Sequence, residues 1–182
     1  LARGDFDIVI AGMASTEERL KSVDFSDPYF KQQQAILIRA EDDALYNKPE
    51  DLSGHKVGVQ NGTIQVPIAN ELAGEENVVG LVKAQDLIME LKSGNIEALA
   101  VAYGNAEMIV DANPDLVICT WEFDVKAEYS ANVIMMQKGE TELLDAVNAI
   151  LAQAKEANLY DGWYKDAVEL GKSENAQELT LN

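Results

Sequence analysis

The sequence predicts an α/β protein built as two lobes, on two observations. Short apolar runs alternate with longer amphipathic ones along most of the 182 residues, the pattern of strands joined by helices that cover the faces of parallel sheets. The chain also repeats itself, since Leu1-Ala-Arg-Gly-Asp-Phe-Asp-Ile-Val-Ile10 echoes Leu91-Lys-Ser-Gly-Asn-Ile-Glu-Ala-Leu-Ala100. Each copy reads as a helix end, a glycine and a strand. The glycine suits the left-handed residue that ends a helix, and the run after it suits a strand covered on both faces. Two copies of one unit suggest two lobes of similar construction; a chance echo stays open, because every helix-to-strand junction favours this chemistry.

The elements follow in order. Residues 6–11 are expected as a strand, stopped by Gly12 and followed by a short helix in which Ser15 and Glu18 have the spacing of a capping box. Gln34–Arg39 reads as a strand and the acidic, turn-rich segment 41–50 as a linker. Strand is then expected at 56–59, 78–82, 98–101 and 116–119, with helix at 64–73, 84–93 and 103–112 between them; Asn113-Pro114 closes the last helix. Residues 129–135, with β-branched and aromatic side chains among them, read as a longer strand. Residues 141–157 form an amphipathic helix with Leu144, Val147, Leu151 and Ala154 along one stripe. A last helix is expected at 159–170 and a polar tail from 171 to 182.

Composition excludes several functions. Fourteen basic against thirty-two acidic residues give a net charge of −18, and no Lys/Arg cluster offers phosphates a partner, so nucleic acid is not expected as a ligand. The acidic excess is scattered and reads as solubility. The single cysteine, Cys119, lies in an apolar run and reads as a small buried hydrophobe. The single histidine, His55, has no ligand partner at useful spacing, so neither a metal site nor a histidine-based triad is expected. No apolar stretch reaches the length of a membrane span.

Two junctions have the chemistry to hold an anion. At Gly12 a strand gives way to a helix start, whose unpaired N–H groups lie at a positive dipole end. Arg19 follows Ser15 by one turn and can reach back to the same place, where its fork suits a carboxylate; an exposed arginine paired with a neighbour such as Glu18 is the plain alternative. In Asn61-Gly-Thr63, Thr63 fits a helix N-cap, which leaves the N–H groups of Ile64 and Gln65 for an anion. Many helices simply need a cap, so this junction alone says little. Gln60 and Tyr103 are near enough in sequence to line a pocket, whereas Trp121, Phe123 and Trp163 read as packing residues.

The stretch Gly12-Met-Ala-Ser-Thr-Glu-Glu-Arg19, running on to Phe25-Ser-Asp-Pro-Tyr29, resembles the signature of the family 3 extracellular solute-binding proteins. Asp51-Leu-Ser-Gly-His-Lys-Val-Gly-Val-Gln-Asn-Gly-Thr63 is similar to the family's second binding segment, Leu91-Lys-Ser-Gly-Asn-Ile-Glu-Ala98 to its third, and Tyr160-Asp-Gly-Trp163 to its closing helix. The resemblance covers nearly the whole chain, in order. It implies the two-lobed type II periplasmic-binding-protein-like fold, with residues 1–39 and 131–182 in the first lobe and 40–130 in the second. Hinge strands would lie near 34–40 and 128–131. It further implies that the first lobe lacks the family's opening strand, helix and second strand; upstream residues, a domain-swapped second copy or the helices from 141 to 170 folded over the gap would each cover the strand at 6–11, and a lobe that self-associates is the favoured expectation.

The function implied is that of the extracytoplasmic substrate-binding component of an ABC importer. It would be periplasmic or lipid-anchored, carry no cofactor and no metal, and deliver an amino acid or related small carboxylate to a membrane permease. Gly12, Ala14, Arg19, Gln60, Thr63, Ile64 and Tyr103 would contact the ligand, with Arg19 on one edge of its carboxylate and Thr63 and Ile64 on the other. Two positions depart from the family: Ala14 stands where Thr or Ser is usual, and Ala102 where an acidic residue meets the ligand ammonium. A methyl group cannot balance a buried ammonium, so the family's N-terminal segment upstream of residue 1, a ligand without a free α-amine, or a partly wet cleft is expected to resolve it. The same resemblance also admits a sensory extracytoplasmic domain or a cyclohexadienyl-dehydratase-like enzyme, for which Glu107 is an available acid.

Overall fold

Gln34-Ala-Ile-Leu-Ile-Arg39 is apolar on alternate and intervening positions alike, and five of its six residues are buried. A strand of this kind needs cover on both faces. The computed structural model, which describes residues 1, 3–31, 33–126 and 130–172, supplies it. The chain divides into two units, one of Leu1–Lys31 with the chain from Ala131 onward, the other of Gln32–Ser130.

The first unit opens with β1 (Ile8–Ile10), α1 (Glu17–Leu20), β2 (Val23–Phe25) and β3 (Phe30–Lys31). The second carries β4 (Gln34–Arg39), β5 (Val57–Gln60), α2 (Gln65–Ala73), β6 (Val78–Leu81), α3 (Ala84–Lys92), β7 (Ala98–Ala102), α4 (Tyr103–Ala112) and β8 (Leu116–Ile118). The chain then returns to the first unit with β9 (Ala131–Asn132), β10 (Ile134–Gln137), α5 (Thr141–Glu156) and α6 (Leu159–Lys172).

In the second unit the strand order is β6-β5-β7-β4-β8. β5 runs parallel to β6 and β7, while β4 runs antiparallel to β7 and β8. The sheet is therefore mixed, not parallel as the alternation predicts, because β4 enters it from the opposite end. Ile36 and Ile38 pack with Val57, Val59, Ala98 and the α2 residues Ala69 and Ala73 on one face. Ala35 and Leu37 pack with Leu99, Leu87 and Leu91 of α3 and Ala106 of α4 on the other. Period-two alternation along β4 thus feeds two cores. The pairing also corrects the expected lobe boundary: the units part at Lys31 and Gln32, not after residue 39, since β4 is bonded into this sheet.

The first unit is antiparallel. β10 lies between β1 and β2, and β3 pairs with β9. The long strand expected at 129–135 is two strands, with position 129 outside the described residues; the chain changes partner at Val133, whose N–H bonds the carbonyl of Met13. The strand expected at 6–11 shrinks to Ile8–Ile10 and occupies a sheet edge. It is not covered on both faces: Phe6 is 65% exposed and Ile10 60%. Its sequence echo, β7, is the covered copy. The glycines of the two copies do match, Gly4 at φ 74 and Gly94 at φ 73. On α5 the predicted stripe is only half-buried and no residue is fully buried. α6 continues to Lys172, past the expected end at 170, and 173–182 lie outside the described residues. Among the described residues no helix is long and apolar enough to cross a membrane.

Candidate ligand-binding site

From β5 the chain passes through α2 to β6 on one side, then through α3 to β7 on the other. The strand order therefore reverses between β5 and β7, and in open α/β sheets ligands bind outside the carboxyl ends of strands at such a switch point. The loops that follow these two strands open α2 and α4, so two helix N-termini meet the same sheet end. All four candidate residues of the second unit fall in these loops or their strand ends: Gln60 closes β5, Thr63 and Ile64 precede α2, and Tyr103 opens α4.

Their side chains differ from expectation in detail. Thr63 is not the N-cap; that residue is Ile64, which makes no side-chain cap hydrogen bond. The Thr63 hydroxyl instead donates back to the Gln60 carbonyl at 2.7 Å. Ile64 is buried, so its side chain anchors the turn while the start of α2 is left without a side-chain acceptor. The Gln60 amide donates to the Val82 carbonyl at 3.0 Å, along the sheet end. Tyr103 is 38% exposed and its N–H is held by the Gln33 carbonyl. Sequence reasoning missed Gln34 and, of Gln65, the side chain, since only the Gln65 N–H was singled out. Both are buried, and Gln65 Nε2 donates to Gln34 Oε1 at 2.5 Å. The available signal was a polar residue heading the apolar run of β4.

In the first unit the loop after β1 carries Gly12 and Ala14, and α1 after it carries Arg19. Gly12 is exposed and Ala14 is buried to 2% exposure. The Arg19 guanidinium folds back on this loop, with Nη1 donating to the Ala14 carbonyl at 2.9 Å. The expected capping box does not form. Thr16 is the N-cap, its hydroxyl accepting from the Arg19 N–H at 3.3 Å. The shift by one residue puts Arg19 at the third helical position, where its side chain reaches the loop.

Other features lie apart from these residues. A groove of about 770 Å³ in the first unit is lined by Tyr29, Phe30, Leu151, Tyr160 and Trp163 among others. Phe30 stacks on Tyr164 at 5.0 Å, and burial raises the Tyr29 and Tyr160 hydroxyls above their ordinary value. Trp163, expected in packing, is 57% exposed; Trp121 does pack, donating to the Tyr46 carbonyl and meeting Phe123 edge-on. Cys119 is buried and its thiol is pushed up to about 12 by that burial, as befits an inert core residue. Glu107 is exposed on α4. Among the described residues no three His, Cys, Asp or Glu side chains converge as a metal site.

Comparison with known proteins agrees with this architecture. The arginine-binding extracellular protein ArtP of Bacillus subtilis is 34% identical over 152 residues, covering 82% of this chain and 58% of that protein. The ABC transporter glutamine-binding protein GlnH of the same organism is 33% identical over 170 residues, covering 91% and 59%. Among solved structures, the amino acid ABC transporter substrate-binding protein AbpA of Streptococcus pneumoniae, bound to L-arginine, superposes with a TM-score of 0.85 at 32% identity. It covers 95% of this chain and 72% of its own. The chain thus spans about three-fifths of the length of the curated relatives it matches. A family profile matches residues 1–167, and with the switch-point architecture around it the chain belongs to the bacterial extracellular solute-binding proteins, family 3.

Proposed function

We propose that this chain is the substrate-binding part of an ABC importer and takes an amino acid, or a related small carboxylate, outside the cytoplasm. The observation that carries the reading is the start of α2: a helix N-terminus with no side-chain cap, at the carboxyl end of β5 beside a topological switch point. Relatives named for arginine and glutamine binding support the ligand class. On the second unit Thr63, Ile64, Gln60 and Tyr103 are the ligand contacts of this reading, and on the first unit, taken by itself, Arg19 is its partner for a carboxylate. The loaded protein then engages a membrane permease, from the periplasm or from a lipid anchor. A second copy of the chain pairs along β1, an edge strand among the described residues, with Ile10 on it and Phe6 just before it exposed.

Isothermal titration with L-arginine, L-glutamine and L-histidine tests the reading. Saturable 1:1 binding of at least one is expected, and Arg19→Ala should weaken it by about 2–5 kcal/mol, the usual cost of truncating one side of a desolvated charge pair. Binding unchanged in the variant assigns Arg19 to the loop alone, through its bond to Ala14. No binding of any amino acid by the wild type overturns the proposal.

A further inference from the structure

Gln34 and Gln65 form a pair that stability does not explain. Each is 9% exposed, and one hydrogen bond joins them. The Nε2 of Gln34 is left buried with no acceptor among the described residues. An amide donor buried in this way is a cost, and a half-satisfied polar pair is worse for the fold than an apolar one. The pair's position suggests what it is for. Gln34 is the cross-strand partner of Ala102, so both side chains lie on one face at the sheet end where β7 stops and α4 begins. Gln65 is the first residue of α2, whose N-terminus has no side-chain cap. The orphaned donor therefore sits beside the bare helix start, at the switch point.

We propose that Gln34 is a ligand-contacting residue: its Nε2 donates to an oxygen of the carboxylate held at the start of α2. Gln65 is the positioning residue, because its own Nε2 occupies Gln34 Oε1 and so decides which end of the Gln34 amide is left for the ligand. The site takes a carboxylate and selects against a group that offers only donors. The inference rests on the binding function proposed above.

Gln34→Leu, Gln34→Glu and the double variant Q34L/Q65L are titrated with L-arginine and L-glutamine, and melted without ligand. Gln34→Leu should lose about 10- to 100-fold in affinity, as for a charge-assisted hydrogen bond. Gln34→Glu should lose more, since its carboxylate keeps the bond from Gln65 but faces the ligand with an acceptor. The double variant should bind as weakly as Gln34→Leu, while its ligand-free midpoint equals or exceeds that of the wild type. Wild-type affinity in Gln34→Leu and the double variant overturns this inference and leaves the transport function standing. So does a double variant whose ligand-free midpoint falls while its affinity holds, since the pair is then structural. A wild type that binds no amino acid overturns both.

Discussion

Arg39 gathers oxygens for the fold as Arg19 is proposed to do for a ligand. Its Nη1 donates to the carbonyls of Leu91 and Ile96, each at 2.8 Å, and its Nη2 meets Asp42 at 2.5 Å. Leu91 lies in the last turn of α3, and its carbonyl also accepts from the Gly94 N–H at 3.1 Å, so the guanidinium reinforces a helix end and a Gly94 turn that the backbone already closes. Arg39→Ala should cost about 3 kcal/mol, the scale of a charged group's hydrogen bonds lost at a largely buried place. Arg39→Lys should recover only part of this, since an ammonium lacks the fork; urea denaturation of both variants measures it. Asp24 plays a comparable part in the first unit. It accepts from Lys138 Nζ at 2.6 Å and the Gly139 N–H at 2.7 Å, and the Lys138 hydrogen bond is the main reason its carboxyl is held below its ordinary 3.8. Because the folded value is depressed, this contribution is complete above 3.8 and is lost as pH falls through the lower folded value. Asp24→Asn should therefore melt below the wild type near neutrality, with the gap closing in acid; thermal midpoints across that range decide it.

At the scale of elements, β5 and α3 come together because Gly58 has no side chain. A Cβ there would lie 2.5 Å from Ile96 Cδ1 and 3.0 Å from Leu87 Cδ2, and both neighbours are buried to 1% exposure. They have little room to withdraw, so Gly58→Ala should destabilise by about 1–3 kcal/mol. A denaturation midpoint equal to that of the wild type would show that the β5–α3 contact yields freely. The sequence located α2, α3, α4 and α5 to within a residue or two, α5 by its amphipathic stripe, α4 with the help of the Asn113-Pro114 stop, and the others by the alternation of strands and helices. The short elements β2 and β3 escaped it, being three and two residues long. Periodicity needs more residues than these contain, and they are strands only because β10 and β9 supply hydrogen bonds.

For the molecule as a whole, the proposed pairing of copies along β1 and the −18 charge act against each other. Edge pairing between copies would bury Phe6 and Ile10, while like charge holds the copies apart until salt screens it. Light scattering should give a mass above 19.9 kDa that rises with ionic strength, and Ile10→Lys should return the monomer. A 19.9 kDa species at every salt concentration would rule the pairing out. The family and the alternation of elements were legible in the residues, because motif, period and glycine placement are local properties. Three things were not: the mixed order β6-β5-β7-β4-β8, the transfer of the whole of β4 to the second unit, and the meeting of Gln34 with Gln65. Each depends on which distant segment supplies a hydrogen-bond partner. That choice is made by the packing of Ile36 and Leu37 on opposite faces of one sheet, and no window along the chain contains both sides of it.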